Sequence, residues 1–251
     1  CDDVGEIYID GVKIFTQSIY TNTTSLINGG KTYPLNKMST VEVRLREDGG
    51  DAKLALNFID TPFVYDGSVA PQSGSSITVN KSTVLTNDLE VCTCIIAAGK
   101  TLTIAADKTL TVNENIVVNG DGKLIIKNNG SLVQTNDNAI YTGAVNSFNM
   151  ERISTPMADF DYTYWSSAVA DKKLNVLSPN TLADKYMSFS GTNWIIENGN
   201  TIMKPGKGYI IRVPKPGTGY PNGKDYWNTS TYSQTVNFIG IPNNGIIKGE
   251  S

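Results

Sequence analysis

Two adjacent carboxylates, Asp2 and Asp3, stand directly before a strand-like run, Glu6-Ile-Tyr-Ile-Asp10. A hard cation such as calcium takes roughly six to eight oxygen ligands, and such a pair can supply some of them. The same pair can equally cap backbone N–H groups where a strand begins. Cys92 and Cys94 are two apart, so on a strand both would project to one face. A disulfide between them would strain the backbone, because the bond prefers ~5.5–6 Å between Cα atoms. A closed thiolate metal site needs about four ligands, and no second pair of thiols exists. They read as small apolar strand residues. Trp165, Trp194, Trp227 and Tyr209 could form a sugar-stacking platform, although such residues more often fill a β core. Glu6, Glu42, Glu47, Glu90, Glu114, Glu151 and Glu197 fall mostly on the polar phase of strands or in turns. None is paired in a glycosidase-like setting, which requires two carboxyl groups ~5–9.5 Å apart across a cleft.

Histidine is absent, which excludes Ser-His-Asp and Cys-His nucleophile systems and any zinc site that uses imidazole. Gly206-Lys-Gly208 lacks the spacing and the following helix of a phosphate loop and reads as a turn. We therefore expect no catalytic residue, no enzyme activity and no cofactor other than calcium at Asp2 and Asp3.

The elements that must position these residues are strands. The chain has 251 residues, a formal net charge of -3, 18% charged residues and 23 glycines, with abundant Thr, Asn, Val and Ile. That balance suits pleated surfaces joined by tight turns and lacks the clustered Lys and Arg of a nucleic-acid binder. No apolar run approaches the ~20 residues of a membrane span, so an embedded protein is not expected. The chain opens at Cys1-Asp-Asp without an initiator Met and reads as an internal piece of a longer polypeptide.

Four stretches separate by pattern. Residues 1–66 carry period-two alternation, in Glu6-Ile-Tyr-Ile-Asp10, Val12-Lys-Ile-Phe15, Thr40-Val-Glu-Val-Arg-Leu-Arg46 and Ala52-Lys-Leu-Ala-Leu-Asn-Phe58. Residues 67–76 collect Gly, Ser and Pro and read as a linker. Residues 77–147 contain an internal repeat of about 22 residues. It sets Cys94-Ile-Ile96 on Ile116-Val-Val118, Thr101-Leu-Thr-Ile104 on Lys123-Leu-Ile-Ile126, and Thr109-Leu-Thr-Val112 on Ser131-Leu-Val-Gln134. One such coil cannot bury its own aliphatic side chains, but stacked coils share an interior and pair their backbones. The expectation is a short right-handed parallel β-helix of about three coils, with weaker echoes at Ile77-Thr-Val79 and Ala139-Ile-Tyr141. Residues 148–251 lose the period and gain aromatics, predicting an antiparallel β-rich domain with one short helix over 179–185. The fold class is all-β.

Cys1-Asp-Asp-Val-Gly-Glu-Ile-Tyr-Ile-Asp-Gly11, with Val41-Glu-Val-Arg-Leu-Arg-Glu-Asp-Gly-Gly-Asp-Ala-Lys-Leu-Ala-Leu56, resembles the C-terminal half of the protective-antigen-like adhesion and lectin module. That resemblance implies part of a β-sandwich over 1–66, with Asp2 and Asp3 matching a calcium-binding Asp pair that helps hold a glycan. The Thr-Leu-Thr-Ile repeats, Tyr164-Trp-Ser-Ser167, the Lys204-Pro-Gly-Lys-Gly-Tyr-Ile-Ile-Arg212 run and Gly240-Ile-Pro-Asn-Asn-Gly245 are similar to segments of very large Bacteroidota surface proteins. Those proteins, gliding-type adhesins among them, leave the cell by the type IX secretion system. The resemblance implies a structural and adhesive segment on the bacterial cell surface, with surface glycans or other surface polymers as partners. The rival reading is a non-catalytic carbohydrate-binding or spacer part of a secreted polysaccharide-degrading enzyme.

Overall fold

The computed structural model describes residues 4–17, 33, 35, 39–46, 62–72, 74–158, 160–214, 231 and 233–248. The chain divides into two compact units, 1–61 and 62–251. In the first, β1 (Val4–Ile9), β2 (Val12–Gln17) and β3 (Val41–Arg46) form an antiparallel sheet of order β2-β1-β3. Asp10 and Gly11 both take positive φ, 49° and 79°, as the tight β1–β2 hairpin demands. Alternation sorts Glu6, Tyr8, Lys13, Glu42 and Arg44 to one face. There Tyr8 and Lys13 donate to the Glu6 carboxylate and the Arg44 guanidinium lies 4.3 Å from the Tyr8 ring centroid. The strand expected over 52–58 lies outside the described residues.

The second unit is built on stacked coils. Three parallel ladders run along it. The first holds β4 (Phe63–Val64), β5 (Ile77–Val79), β8 (Cys94–Ile96), β11 (Ile116–Val118) and β14 (Tyr141–Thr142). The second holds β6 (Thr83–Leu85), β9 (Thr101–Ile104), β12 (Lys123–Ile126) and β15 (Phe148–Ile153). The third holds β7 (Leu89–Val91), β10 (Thr109–Val112) and β13 (Ser131–Gln134). Registers Cys94↔Ile116, Thr101↔Lys123 and Thr109↔Ser131 reproduce the 22-residue sequence alignment. Residues 67–76 connect β4 to β5, which are adjacent rungs of one ladder.

Side chains alternate along each rung, and the inward ones stack in columns: Ile77, Cys94, Ile116 and Tyr141; Leu102, Leu124 and Phe148; Leu110 between Leu89 and Leu132. Most of these are completely buried. Each fully buried aliphatic side chain contributes roughly 1.5–3 kcal/mol, an upper bound given a compact unfolded chain. Burial alone pushes the Cys94 thiol up to about 12, so its role is that of a small apolar filler.

The spiral ends where β15 pairs in parallel with β12 on one side and antiparallel with β20 (Thr235–Ile239) on the other. Between them, the chain builds a four-stranded antiparallel sheet from β16 (Tyr162–Trp165), β17 (Tyr186–Phe189), β18 (Trp194–Ile196) and β19 (Tyr209–Arg212), in the order β16-β19-β17-β18. This sheet shares one hydrophobic core with the coils, through Tyr186, Tyr209, Ile211 and Phe238. Asn244 locks the C-terminal segment to the last coil by donating to the carbonyls of Asn136 and Ala139. The helix expected over 179–185 is instead a single turn, α1 (Leu174–Leu177). Leu174 and Leu177 supply the buried face there, whereas Pro179 has no backbone N–H to continue a helix.

Lys172 has 7% of its surface exposed, and its amine donates to the Asn237 carbonyl on β20 at 2.8 Å. The contact blunts a sheet edge. Burial penalises the ammonium, so its pKa falls below the ordinary 10.5. The folded state thus binds fewer protons than the unfolded one between the lowered value and ~10.4. The penalty is complete at neutral pH and fades as pH rises through that window. Lys172→Met removes it, so the stability of wild type relative to the variant should rise from pH 7 to pH 10. Urea midpoints of both proteins at the two pH values measure this, and a constant difference would exclude it.

Candidate functional site

The four-stranded sheet has two unlike faces. Cα partners Trp165↔Tyr209↔Ser188↔Ile195 run across its inner face. Tyr209 is buried, and Trp165 packs on Phe238 with ring centroids 6.2 Å apart. Ser188 donates to the Glu197 carboxylate at 2.6 Å, and Lys207 stands 3.7 Å from the same carboxylate. Tyr186, also inward, donates to the Ser178 carbonyl at 2.6 Å.

The outer face carries Tyr164↔Ile210↔Met187↔Ile196 across all four strands, then Phe189↔Trp194 at the β17–β18 hairpin. Tyr164, Phe189 and Trp194 are 68%, 51% and 47% exposed. Trp194 joins the other two: its ring centroid is 5.2 Å from Phe189 and 6.4 Å from Tyr164, with the planes tilted by 59° and 49°. The hairpin turn beside them is polar, with Ser190, Thr192 and Asn193 hydrogen-bonded among themselves. Among the described residues of this sheet, Lys185 and Arg212 stand outward in the row next to Tyr164. Lys185 pairs with Asp184, and Arg212 stacks 4.3 Å from the Phe160 ring centroid. Neither outer row around Trp194 contains an ionisable acid or base other than the Tyr164 phenol.

Three exposed rings clustered on a sheet that is otherwise anchored to a core form an apolar surface that solvent alone disfavours. Such a surface can stack against flat apolar faces of a ligand, while the turn and the Tyr164 hydroxyl supply hydrogen-bonding groups. Of the aromatics singled out from sequence, Trp194 belongs to this surface. Trp165 and Tyr209 belong to the core, and Trp227 lies outside the described residues. Tyr164 and Phe189 were not singled out. Their signal was alternation: Tyr164 must face away from Trp165, and Phe189 sits opposite Trp194 across a four-residue turn.

Asp2, Asp3, Cys1 and Glu47 lie outside the described residues. Among the described residues, no group of three or more His, Cys, Asp and Glu side chains is placed to hold a metal ion. The described glutamates of the sequence set are held by neighbours: Glu6 by Tyr8 and Lys13, Glu42 by Arg44, Glu90 by Asn113, Glu114 by Asn136, Glu151 by Lys127, and Glu197 by Ser188. Hydrogen bonds from Tyr8 and Lys13 hold Glu6 below the usual carboxylate range, and one from Arg44 does the same for Glu42. No helix among the described residues is long and apolar enough to cross a membrane.

A family model described as a domain of unknown function, DUF8693, matches residues 17–250. No curated protein and no solved structure matches the chain.

Proposed function

We propose, from the premise that this chain belongs to the DUF8693 family, that it is a structural and adhesive segment of a large secreted bacterial surface protein. In this reading it acts outside the cell, binds surface glycans or other surface polymers, and has no catalytic residue. One observation carries it: a ladder-built column with a buried hydrophobic interior is continuous with a sheet whose outward face bears exposed rings. Stacked coils stabilise one another rung by rung, so they serve as a support whose length follows the number of repeats. A sheet clamped to that support holds its rings in place, lowering the ordering cost of binding. The likeness to gliding-type Bacteroidota adhesins and export by the type IX machinery belong to the same reading.

The chain immobilised on beads should be retained on surfaces coated with bacterial or algal polysaccharide, without releasing reducing ends. Retention on no polymer, or turnover of any, would overturn the proposal. Calcium at Asp2 and Asp3 is tested separately by thermal melting. A bound ion raises the midpoint by mass action, and an unchanged midpoint with added calcium removes the pair as a site.

A further inference from the structure

We infer that Tyr164, Trp194 and Phe189 form a subsite for a single, soluble, neutral pyranose chain, which deepens the adhesive reading above and rests on it. The ligand class follows from three features of the outer face. First, the surface around Trp194 is aromatic rather than merely apolar. The negative face of an aromatic ring attracts the C–H groups on one side of a pyranose, while an aliphatic patch offers dispersion alone. Second, the rows Tyr164↔Ile210↔Met187↔Ile196 and Phe189↔Trp194 contain no carboxylate, ammonium or guanidinium. An anionic polymer would find no counter-charge in those rows, and the cations of the adjoining row, Lys185 and Arg212, are engaged by Asp184 and by the Phe160 ring, so the complementary ligand is neutral. Third, the rings are tilted by 59° and 49° to one another. Coplanar rings would suit the flat surface of a crystalline polysaccharide, whereas tilted rings follow successive sugars of one twisted chain. Sugar hydroxyls left at the edge of such a stack meet the Tyr164 hydroxyl and the Ser190, Thr192 and Asn193 side chains of the adjoining turn.

Intrinsic tryptophan fluorescence, followed as soluble neutral hexose oligosaccharides are added to the full chain, tests this. Stacking on Trp194 should change its emission saturably, and Trp194→Ala and Tyr164→Ala should each weaken binding by about tenfold, the scale of one aromatic stacking contact. Thermal midpoints should stay near wild type, because both side chains are exposed. Binding by these two variants is followed by calorimetry, and Val145→Ala, an exposed apolar position between β14 and β15, should bind as wild type. Tighter binding of uronic-acid oligosaccharides than of neutral ones would overturn the inference. So would retention on a polymer surface that Trp194→Ala leaves unchanged, although the adhesive reading would then survive. Retention on no polymer at all overturns both.

Discussion

Leu124→Ala should destabilise the unit of residues 62–251 by about 3 kcal/mol, typical of truncating a buried leucine in a well-packed core. Leu124 lies completely buried on β12, stacked between Leu102 on β9 and Phe148 on β15. Both neighbours are fixed by parallel backbone ladders. The column therefore cannot close over the missing methyl groups without pulling rungs out of register, and the cavity persists. Its neighbour Ile125 points outward between Thr103 and Asn149. Ile125→Thr keeps a β-branched side chain on the outer face and should change stability by less than about 0.5 kcal/mol. All three tryptophans lie beyond residue 62, so urea denaturation followed by tryptophan fluorescence reports on this unit. Equal effects of the two substitutions would mean that the inward column does not exist.

That contrast also marks what could be read before the fold was known. The period was legible because a stacked coil forces equivalent residues into phase. Leu102 and Leu124, or Ile104 and Ile126, recur at the same step in both the sequence and the ladder. The aromatic face was not legible. Tyr162-Thr-Tyr-Trp165 shows that Tyr164 and Trp165 oppose each other, but local alternation carries no sign. The core that Phe238 completes, from a strand 73 residues after Trp165, decides which ring is buried. The first rung was hidden for a different reason. β4 is two residues long, too short for any alternation, and only its pairing with Ile77 and Thr78 identifies it. One turn of helix at Leu174–Leu177 leaves an equally faint trace, and a Leu-Ala-Asp-Lys stretch downstream imitated it.

Gly130→Ala should destabilise the same unit by about 2 kcal/mol, because it overpacks a place where two coils meet. A Cβ at Gly130 would lie 2.8 Å from the Ala105 carbonyl oxygen one coil earlier, 3.0 Å from the Lys127 carbonyl oxygen and 3.2 Å from Ile126 Cγ2. Two of those three atoms are backbone, so relief requires the corner itself to move. The register explains why the coil-equivalent residue, Lys108, tolerates a full side chain. From Ile104 to Leu110 the corner takes six steps along the chain, as it does from Ile126 to Leu132. The corner before them, from Leu85 to Leu89, takes only four, by the pairings Leu85↔Ile104 and Leu89↔Leu110. Lys108 thus sits over a corner two residues shorter, whereas Gly130 sits over a full one. Gly122 obeys the same logic above Lys100, with the Ala97 and Asn119 carbonyl oxygens 2.9 and 3.0 Å from a Cβ there. Gly208 is the control: it has open space around it and no positive φ, so Gly208→Ala should be neutral or stabilising by up to ~1 kcal/mol. Denaturation midpoints that move the same way for Gly130→Ala and Gly208→Ala would refute coil-on-coil crowding as the reason for glycine at these corners.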